Sequence, residues 1–356
     1  MKLTEEQKNV IHGVLDNIKS GKQIIKVSGF AGTGKSTIVY NLYHALPNSA
    51  VCAFTGKAAD VLRKKHIPAT TIHSLIYKPI MEDGKPKKDK HGNPIFAKTE
   101  TLEADQIIVD EASMISRDLY EDLVSFNRPI IFVGDHGQLE PVGADINLMQ
   151  YPDFILEQIH RNAGEIAHFC SWIRQGYKPA AFARYIREGK VLFINKFQVE
   201  PYYTKADQII CAFNKTRMEV NYKTRFALGF TDFKKPQKND RVMCLKNNSR
   251  IGLFNGMQGV ITYLYKNNRF IFKTEDKTFD IIYDPSQFGR ESYDISGGKD
   301  DPDPFDWCFA ITLHKAQGSE WPIVLVKEQK SRNWDHSRWA YTAASRAKDL
   351  LIWEVY

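Results

Sequence analysis

The sequence predicts an α/β protein with two parallel-sheet domains, a hairpin inserted in the first and a small antiparallel barrel inserted in the second. Three observations carry this. Short apolar runs alternate with helix-period segments at both ends of the chain, the pattern of a parallel sheet covered by helices. A glycine-rich loop joins the first such strand to its helix. Beyond Lys238 the pattern switches to short alternating segments separated by polar turns.

In order, Gln23 to Val27 reads as a strand and Ser36 to Leu46 as the helix behind the glycine-rich turn. Ala50 to Phe54 is a strand and Lys57 to Lys65 a helix, with further apolar strands at Ile107 to Val109 and Ile130 to Val133. The lysine-rich stretch from Lys78 to Lys98 carries turn residues at His91-Gly92-Asn93-Pro94 and reads as an inserted hairpin. Tyr151 to Gln198 is expected to be mostly helical, and Gln208 to Phe213 to be a strand of the second sheet. Val260 to Tyr265, Arg269 to Lys273 and Thr278 to Tyr283 form the barrel-like insertion, and Trp307 to Tyr356 returns to strand and helix. The expected domains are 1–77 with 99–150, the hairpin 78–98, a second sheet domain of 151–240 with 306–356, and the insertion 241–305.

The 356 residues exceed one ordinary core. With 49 Lys and Arg against 42 Asp and Glu, the net charge is +7, a mild excess that suits a phosphate-bearing partner. No apolar run is long enough for a spanning helix and the first residues lack a secretory pattern, so a cytoplasmic setting with no membrane partner is expected. The five scattered cysteines contain no CxxC pair and read as buried small hydrophobes.

Gly29-Phe-Ala31-Gly32-Thr33-Gly34-Lys35-Ser36-Thr37 matches GxxxxGK[ST] between a strand and a helix, the context this motif requires. Its glycines let backbone N–H groups turn inward around phosphate oxygens, and the helix start adds its positive dipole end. Lys35 supplies a point charge for the terminal phosphates, and Ser36 a hydroxyl for Mg²⁺. Asp110 and Glu111 end an apolar strand; Asp110 is assigned to the metal and Glu111 to the attacking water. ATP and Mg²⁺ are therefore the expected cofactors. These motifs alone do not separate a helicase from a kinase or a transporter ATPase.

The ordered set of further motifs resembles superfamily 1 helicases of the 5′-to-3′ branch, the RecD-like and phage Dda-like group. The resemblance runs from about Leu3 to Val355 and is weakest across Lys78–Lys98 and Lys266–Asp306. It implies two RecA-like P-loop domains, with a wedge hairpin in the first and an SH3-like barrel in the second. It implies that Gln7 pairs with adenine, that Gln138 in Gly134-Asp-His-Gly-Gln meets the γ-phosphate, and that Arg161 and Arg346 neutralise charge on the transferred phosphoryl group. Glu140 stands where the family more often has Pro. The segment Ala310-Ile-Thr312-Leu-His314-Lys315-Ala-Gln-Gly318-Ser-Glu320 closely resembles the motif linking ATP to DNA. Gly318 and Glu320 would serve the nucleotide, and Thr312, His314 and Lys315 the strand.

Thr55, Lys57, His73, Asn214 with its neighbour Arg217, and Phe96 in the hairpin are further strand candidates. Trp321, Trp334 and Trp339 are read mainly as core. The implied activity is ATP-driven 5′-to-3′ movement on single-stranded DNA with unwinding at single-strand/duplex junctions, by a monomer whose two domains close on ATP. Single-strand-binding, replication or recombination proteins are expected partners. A motor that chiefly displaces proteins, and a RecD-like subunit of a nuclease complex, stay open.

Overall fold

The structure is a computed structural model that describes residues 3–82, 85–87, 95–140, 146–158, 164–248, 250–293, 301–332 and 334–355. It comprises two compact units, Met1–Lys85 with Phe96–Gln175, and a second built mainly on Gly176–Tyr356.

The first unit opens with α1 (Glu5–Lys19). Thr4 caps it, its hydroxyl accepting the Gln7 N–H while the Gln7 side chain accepts the Thr4 N–H. Glu5 and Glu6 in the first turn and Lys19 in the last suit the helix dipole. There follow β1 (Ile24–Gly29), α2 (Lys35–Ala45), β2 (Ser49–Ala53), α3 (Gly56–Lys64), β3 (Ala69–Thr71) and α4 (Ile72–Ile76). The hairpin strands are β4 (Tyr77–Pro79), β5 (Met81–Glu82), β6 (Lys85–Pro86) and β7 (Phe96–Lys98). Then come β8 (Gln106–Asp110), α5 (Arg117–Val124), β9 (Ile130–Gly134), β10 (Phe154–Leu156) and α6 (Gly164–Arg174).

The main sheet runs β10-β1-β9-β8-β2-β3, its strands parallel throughout the described residues. Its central strands are almost wholly apolar (IIFVG in β9 is buried throughout), as a sheet covered on both faces requires. Because β9 lies between β1 and β8 and all three run parallel, the loops after these strands share one edge, where open α/β sheets bind ligands.

The hairpin expected from turn chemistry has antiparallel β4 and β7 at its base, Tyr77 opposite Lys98 and Pro79 opposite Phe96. Asp122 of α5 anchors that base, accepting from the Tyr77 hydroxyl and, at 3.1 Å, from Lys98 Nζ. The expected tip at 91–94 lies outside the described residues.

The stretch expected to be mostly helical contains two strands. β10 pairs with β1, so the first unit continues to Gln175, past the boundary expected after 150. β11 (Val191–Ile194) is the edge strand of the second sheet. Both are too short for their periodicity to separate strand from helix; pairing with a sheet edge decided them.

After β11 the second unit continues through α7 (Glu200–Tyr203), β12 (Gln208–Cys211) and α8 (Asn214–Ala227). β13 (Arg241–Cys244), β14 (Gln258–Tyr265), β15 (Arg269–Lys273), β16 (Thr278–Asp284) and β17 (Asp303–Trp307) close into a five-stranded barrel. Phe270, Phe272, Ile281, Phe305 and Trp307 fill its interior. β18 (Ala310–Thr312), α9 (Leu313–Ala316), β19 (Trp321–Lys327), α10 (His336–Ala344) and β20 (Ala347–Glu354) complete a parallel sheet of order β11-β20-β19-β12-β18.

Two buried ion pairs tie α8 to the barrel. Arg225 donates through two nitrogens to Asp240 at 2.8 and 2.9 Å and stacks on Trp307. Arg217 pairs with Asp306 and also donates to the Arg290 carbonyl. Arg217 is thus buried in a structural pair, a correction to its reading as a phosphate contact. Burial pushes Asp306 up to about 6 against the pull of Arg217. All five cysteines are buried.

Candidate functional site

The phosphate loop leaves β1 through Gly29, where an added Cβ would meet Thr33 Oγ1 at 2.7 Å and Leu156 Cβ at 3.0 Å. Gly32 and Gly34 adopt φ of 80° and 87°, the left-handed region open to glycine at no steric cost. Lys35, first residue of α2, turns back onto its own loop. Its Nζ donates to the carbonyls of Gly29 at 2.7 Å and Phe30 at 3.1 Å, and lies 3.6 Å from Asp135. Ala31, Ser36 and Thr37 lie half-buried on the same turn, and Thr33 is buried.

Asp135 is the residue of this region that sequence reasoning left unassigned. It is fully buried, and its carboxylate accepts the Gly137 N–H at 2.9 Å and the Gln138 side-chain amide at 3.3 Å. One acid therefore organises both the loop lysine and the Gln138 turn. A Gly-Asp-x-x-Gln pattern after an apolar strand was the available signal.

Gln7 is buried with its side-chain N–H donating to the Thr33 carbonyl at 3.2 Å. Its amide bridges the start of α1 and the phosphate loop, so pairing with adenine requires it to exchange these partners.

At the next strand end, Asp110 is pushed up to about 6, first by burial and then by the neighbouring Glu111 charge; the Glu111 N–H and Lys35 pull it back. Glu111 has φ of 54°, uncommon for a residue with a side chain, and its Oε2 is buried with no hydrogen-bond partner among the described residues. Ser113 Oγ and Gln138 Oε1 are orphaned in the same way. Buried acceptors of this kind fit a hydrated cation and a positioned water, which would supply their missing donors.

The loop also carries a packing feature invisible in sequence. The Arg174 guanidinium stacks 3.4 Å from the centroid of the Phe30 ring, and His136 packs against the same ring edge-on at 4.4 Å. The end of α6 is thereby fastened to the phosphate loop.

In the second unit the segment 310–320 crosses its sheet from one edge to the other. Thr312 is level with Cys211 at the carboxyl edge of the strands, while Trp321 precedes Val324, which pairs with Gln208. Thr312, His314 and Lys315 therefore lie at the carboxyl edge, where Asn214 begins α8; Gly318 and Glu320 lie at the amino edge. Arg346 also lies there, its carbonyl accepting the Trp321 N–H at 2.9 Å. Its buried guanidinium donates to the carbonyls of Thr342 and Ser319 at 3.1 and 3.2 Å and to the Ser345 hydroxyl at 2.8 Å. Glu320 is exposed, 3.6 Å from Lys348. Arg161 lies outside the described residues.

Among the strand candidates, Thr55 caps α3 through the Ala58 N–H, and Lys57 is exposed on its first turn. His73 is exposed on α4 beside Tyr77 at the hairpin base. Although both side chains reach the surface, partial desolvation by the groups packed around them lowers the imidazoles of His73 and His314 below their ordinary value, which favours the neutral, hydrogen-bonding form. Lys315 donates to Asn255 at 2.8 Å, with partial burial lowering its pKa. Phe96 is 55% exposed and Asn214 is exposed. Trp321 and Trp339 are core residues, and Trp334 packs on Phe213.

Comparison with known proteins places these residues in context. Residues 2–196 match the family model of the AAA domain, and residues 308–352 that of the UvrD-like helicase C-terminal domain. The chain is 27% identical to the ATP-dependent RecD2 DNA helicase of Deinococcus radiodurans, over 98% of its own length and 48% of that protein. It is 31% identical to the ATP-dependent DNA helicase dda of Enterobacteria phage T4, over 49% of this chain and 43% of that one. The chain thus spans about half the length of the curated relatives it matches. A crystal structure of Bacteroides Pif1 bound to ssDNA aligns over 100% of this chain and 93% of that one, at 19% identity and a TM-score of 0.65. Pif1 helicase from Candida albicans aligns over 100% and 95%, at 18% identity and 0.59. These structures share the fold. With an AAA-domain match over more than half its length, the chain belongs to the AAA-domain family of P-loop ATPases; it carries a UvrD-like helicase segment near its end and is similar to the RecD- and Dda-type helicases.

Proposed function

We propose that this protein is an ATP-driven motor that moves 5′-to-3′ along single-stranded DNA and opens duplex at a junction. The observation that carries this reading is the pairing, in one chain, of a phosphate loop with its lysine held ready and a second-unit segment that runs from strand-contact candidates to nucleotide candidates. In this reading Lys35 exchanges the carbonyls of Gly29 and Phe30 for phosphate oxygens. Ser36 and Asp110 would hold Mg²⁺, which when bound would supply positive charge beside the phosphates. Glu111 takes the proton of a water that attacks the γ-phosphorus as the bond to ADP breaks, and Gln138 orients that water. Arg161 and Arg346 neutralise the transferred group, and Gln7, Gly318 and Glu320 hold the nucleoside.

Thr55, Lys57, His73, Asn214, Thr312, His314 and Lys315 grip the strand with little sequence preference. The hairpin 78–98, with Phe96, serves as the wedge, and the closed barrel is SH3-like. The motor acts as a monomer, alongside single-strand-binding or replication proteins.

The test is ATP hydrolysis with and without single-stranded DNA, comparing the native chain with Lys35→Ala. Stimulation that disappears in the variant, with unwinding of 5′-tailed but not 3′-tailed duplexes, is the expected result. Hydrolysis indifferent to any nucleic acid would refute it.

A further inference from the structure

The second unit carries a further surface of aromatic and basic side chains, at the opposite end of α8 from Asn214. α8 carries Asn214 at its start; its last residues are about 20 Å away, from the rise of a helix that long. There Phe226 is 74% exposed, Phe233 39% and Leu228 46%. The two phenyl rings stack at 6.4 Å and 28°. Lys223 stands one turn before Phe226, and Lys234, Lys235 and Lys238 follow Phe233, all four exposed.

Of the acids in this stretch, Asp240 is buried on Arg225, and Asp232, partly exposed, uses one carboxylate oxygen to cap the loop, accepting the N–H groups of Lys234 and Lys235 at 2.8 and 3.0 Å. The loop is also clamped from beneath. Arg225 donates to the carbonyls of Asp232 and Lys235 at 2.6 and 3.2 Å, and Gln237 Oε1 accepts the N–H groups of Thr231 and Asp232 at 3.0 Å. An exposed loop held by a buried guanidinium presents its aromatic and basic groups in one arrangement, so little ordering is needed on binding.

We propose that Phe226, Phe233 and the four lysines form a second binding site for single-stranded nucleic acid. The choice of polymer rests on the strand-motor reading above. An acidic peptide would match the charge, but peptide anchors sit in desolvated pockets, whereas Phe226 protrudes with an open ring face. Open rings beside lysines are what bases and phosphates use.

The test is fluorescence anisotropy with oligothymidylates of about eight and about thirty nucleotides, lengths chosen to fill one site or reach two. Phe226→Ala with Phe233→Ala should weaken the longer oligomer about tenfold, the loss of one to two stacked bases. Binding of the shorter oligomer and the hydrolysis it stimulates should stay as in the native chain. Lys234→Glu with Lys235→Glu should flatten the salt dependence of the longer oligomer alone. Unchanged affinity for the longer oligomer in the folded variants overturns the second site and leaves the motor standing. A native chain that binds neither oligomer overturns both readings. Variants that lose polyglutamate but keep the longer oligomer assign the surface to a protein partner instead.

Discussion

Lys35 in this structure holds its own loop by the carbonyls of Gly29 and Phe30 with Asp135 nearby, so its charge is satisfied before any phosphate arrives. Lys35→Ala should lower hydrolysis by roughly a hundredfold or more, the scale of one lost electrostatic contact to a transition state; steady-state phosphate release measures it. Asp110, pushed up to about 6, gives a pH prediction. Its charged form is the metal ligand in the proposed mechanism, so hydrolysis should fall as pH drops through about 6. Protons and Mg²⁺ compete for it, so raising Mg²⁺ should move the fall to lower pH; a fall that ignores Mg²⁺ would refute the assignment. For folding the sign is opposite. The folded chain binds this proton more tightly than the unfolded chain, so the group's own contribution to stability grows as pH falls from about 6 towards the ordinary carboxylate range. Arg225 is a structural counterpart, since its loss strands the buried Asp240. Arg225→Met should cost about 3–5 kcal/mol in denaturant unfolding.

At the scale of elements, the phosphate loop, hairpin and barrel were legible to different degrees. The loop's backbone was legible, because GxxxxGK[ST] fixes glycine at Gly29, where a Cβ would meet Thr33, and at the left-handed Gly34; its contacts with Asp135 and Arg174 were not. Gly34→Ala should cost about 1–2 kcal/mol of backbone strain and weaken ATP binding, read by nucleotide titration. The hairpin base was legible from its turn residues, while its anchoring on Asp122 was not, because α5 follows in sequence and meets it only in space. Phe96→Ala should leave strand-stimulated hydrolysis near the native rate and slow unwinding by on the order of tenfold, the size of one lost stacking contact. Equal loss of both activities would argue that Phe96 serves the fold instead of the wedge. Alternating apolar residues announced the barrel strands, but closure by β17 and the filling of its interior with aromatic rings emerged only in three dimensions.

For the whole molecule, gripping a strand through phosphates means affinity set by salt. With about five phosphates engaged, binding should fall roughly a hundredfold between about 50 and 200 mM salt, and equally for unrelated sequences; a titration in two buffers checks this. The sequence by itself determined the α/β class, the two parallel sheets, the nucleotide loop and the acids at the strand end. Each of these is a local pattern, one stretch of chain with a spacing that backbone geometry demands. Only the tertiary structure decided that Arg217 is buried on Asp306 and not offered to phosphate, that Phe154–Leu156 joins the first sheet, and that Asp135 governs both Lys35 and Gln138. It also decided that Arg174 locks onto Phe30. Those outcomes depend on which distant groups meet and which charges lose their water, and burial and pairing are properties of the packed chain, not of any segment within it.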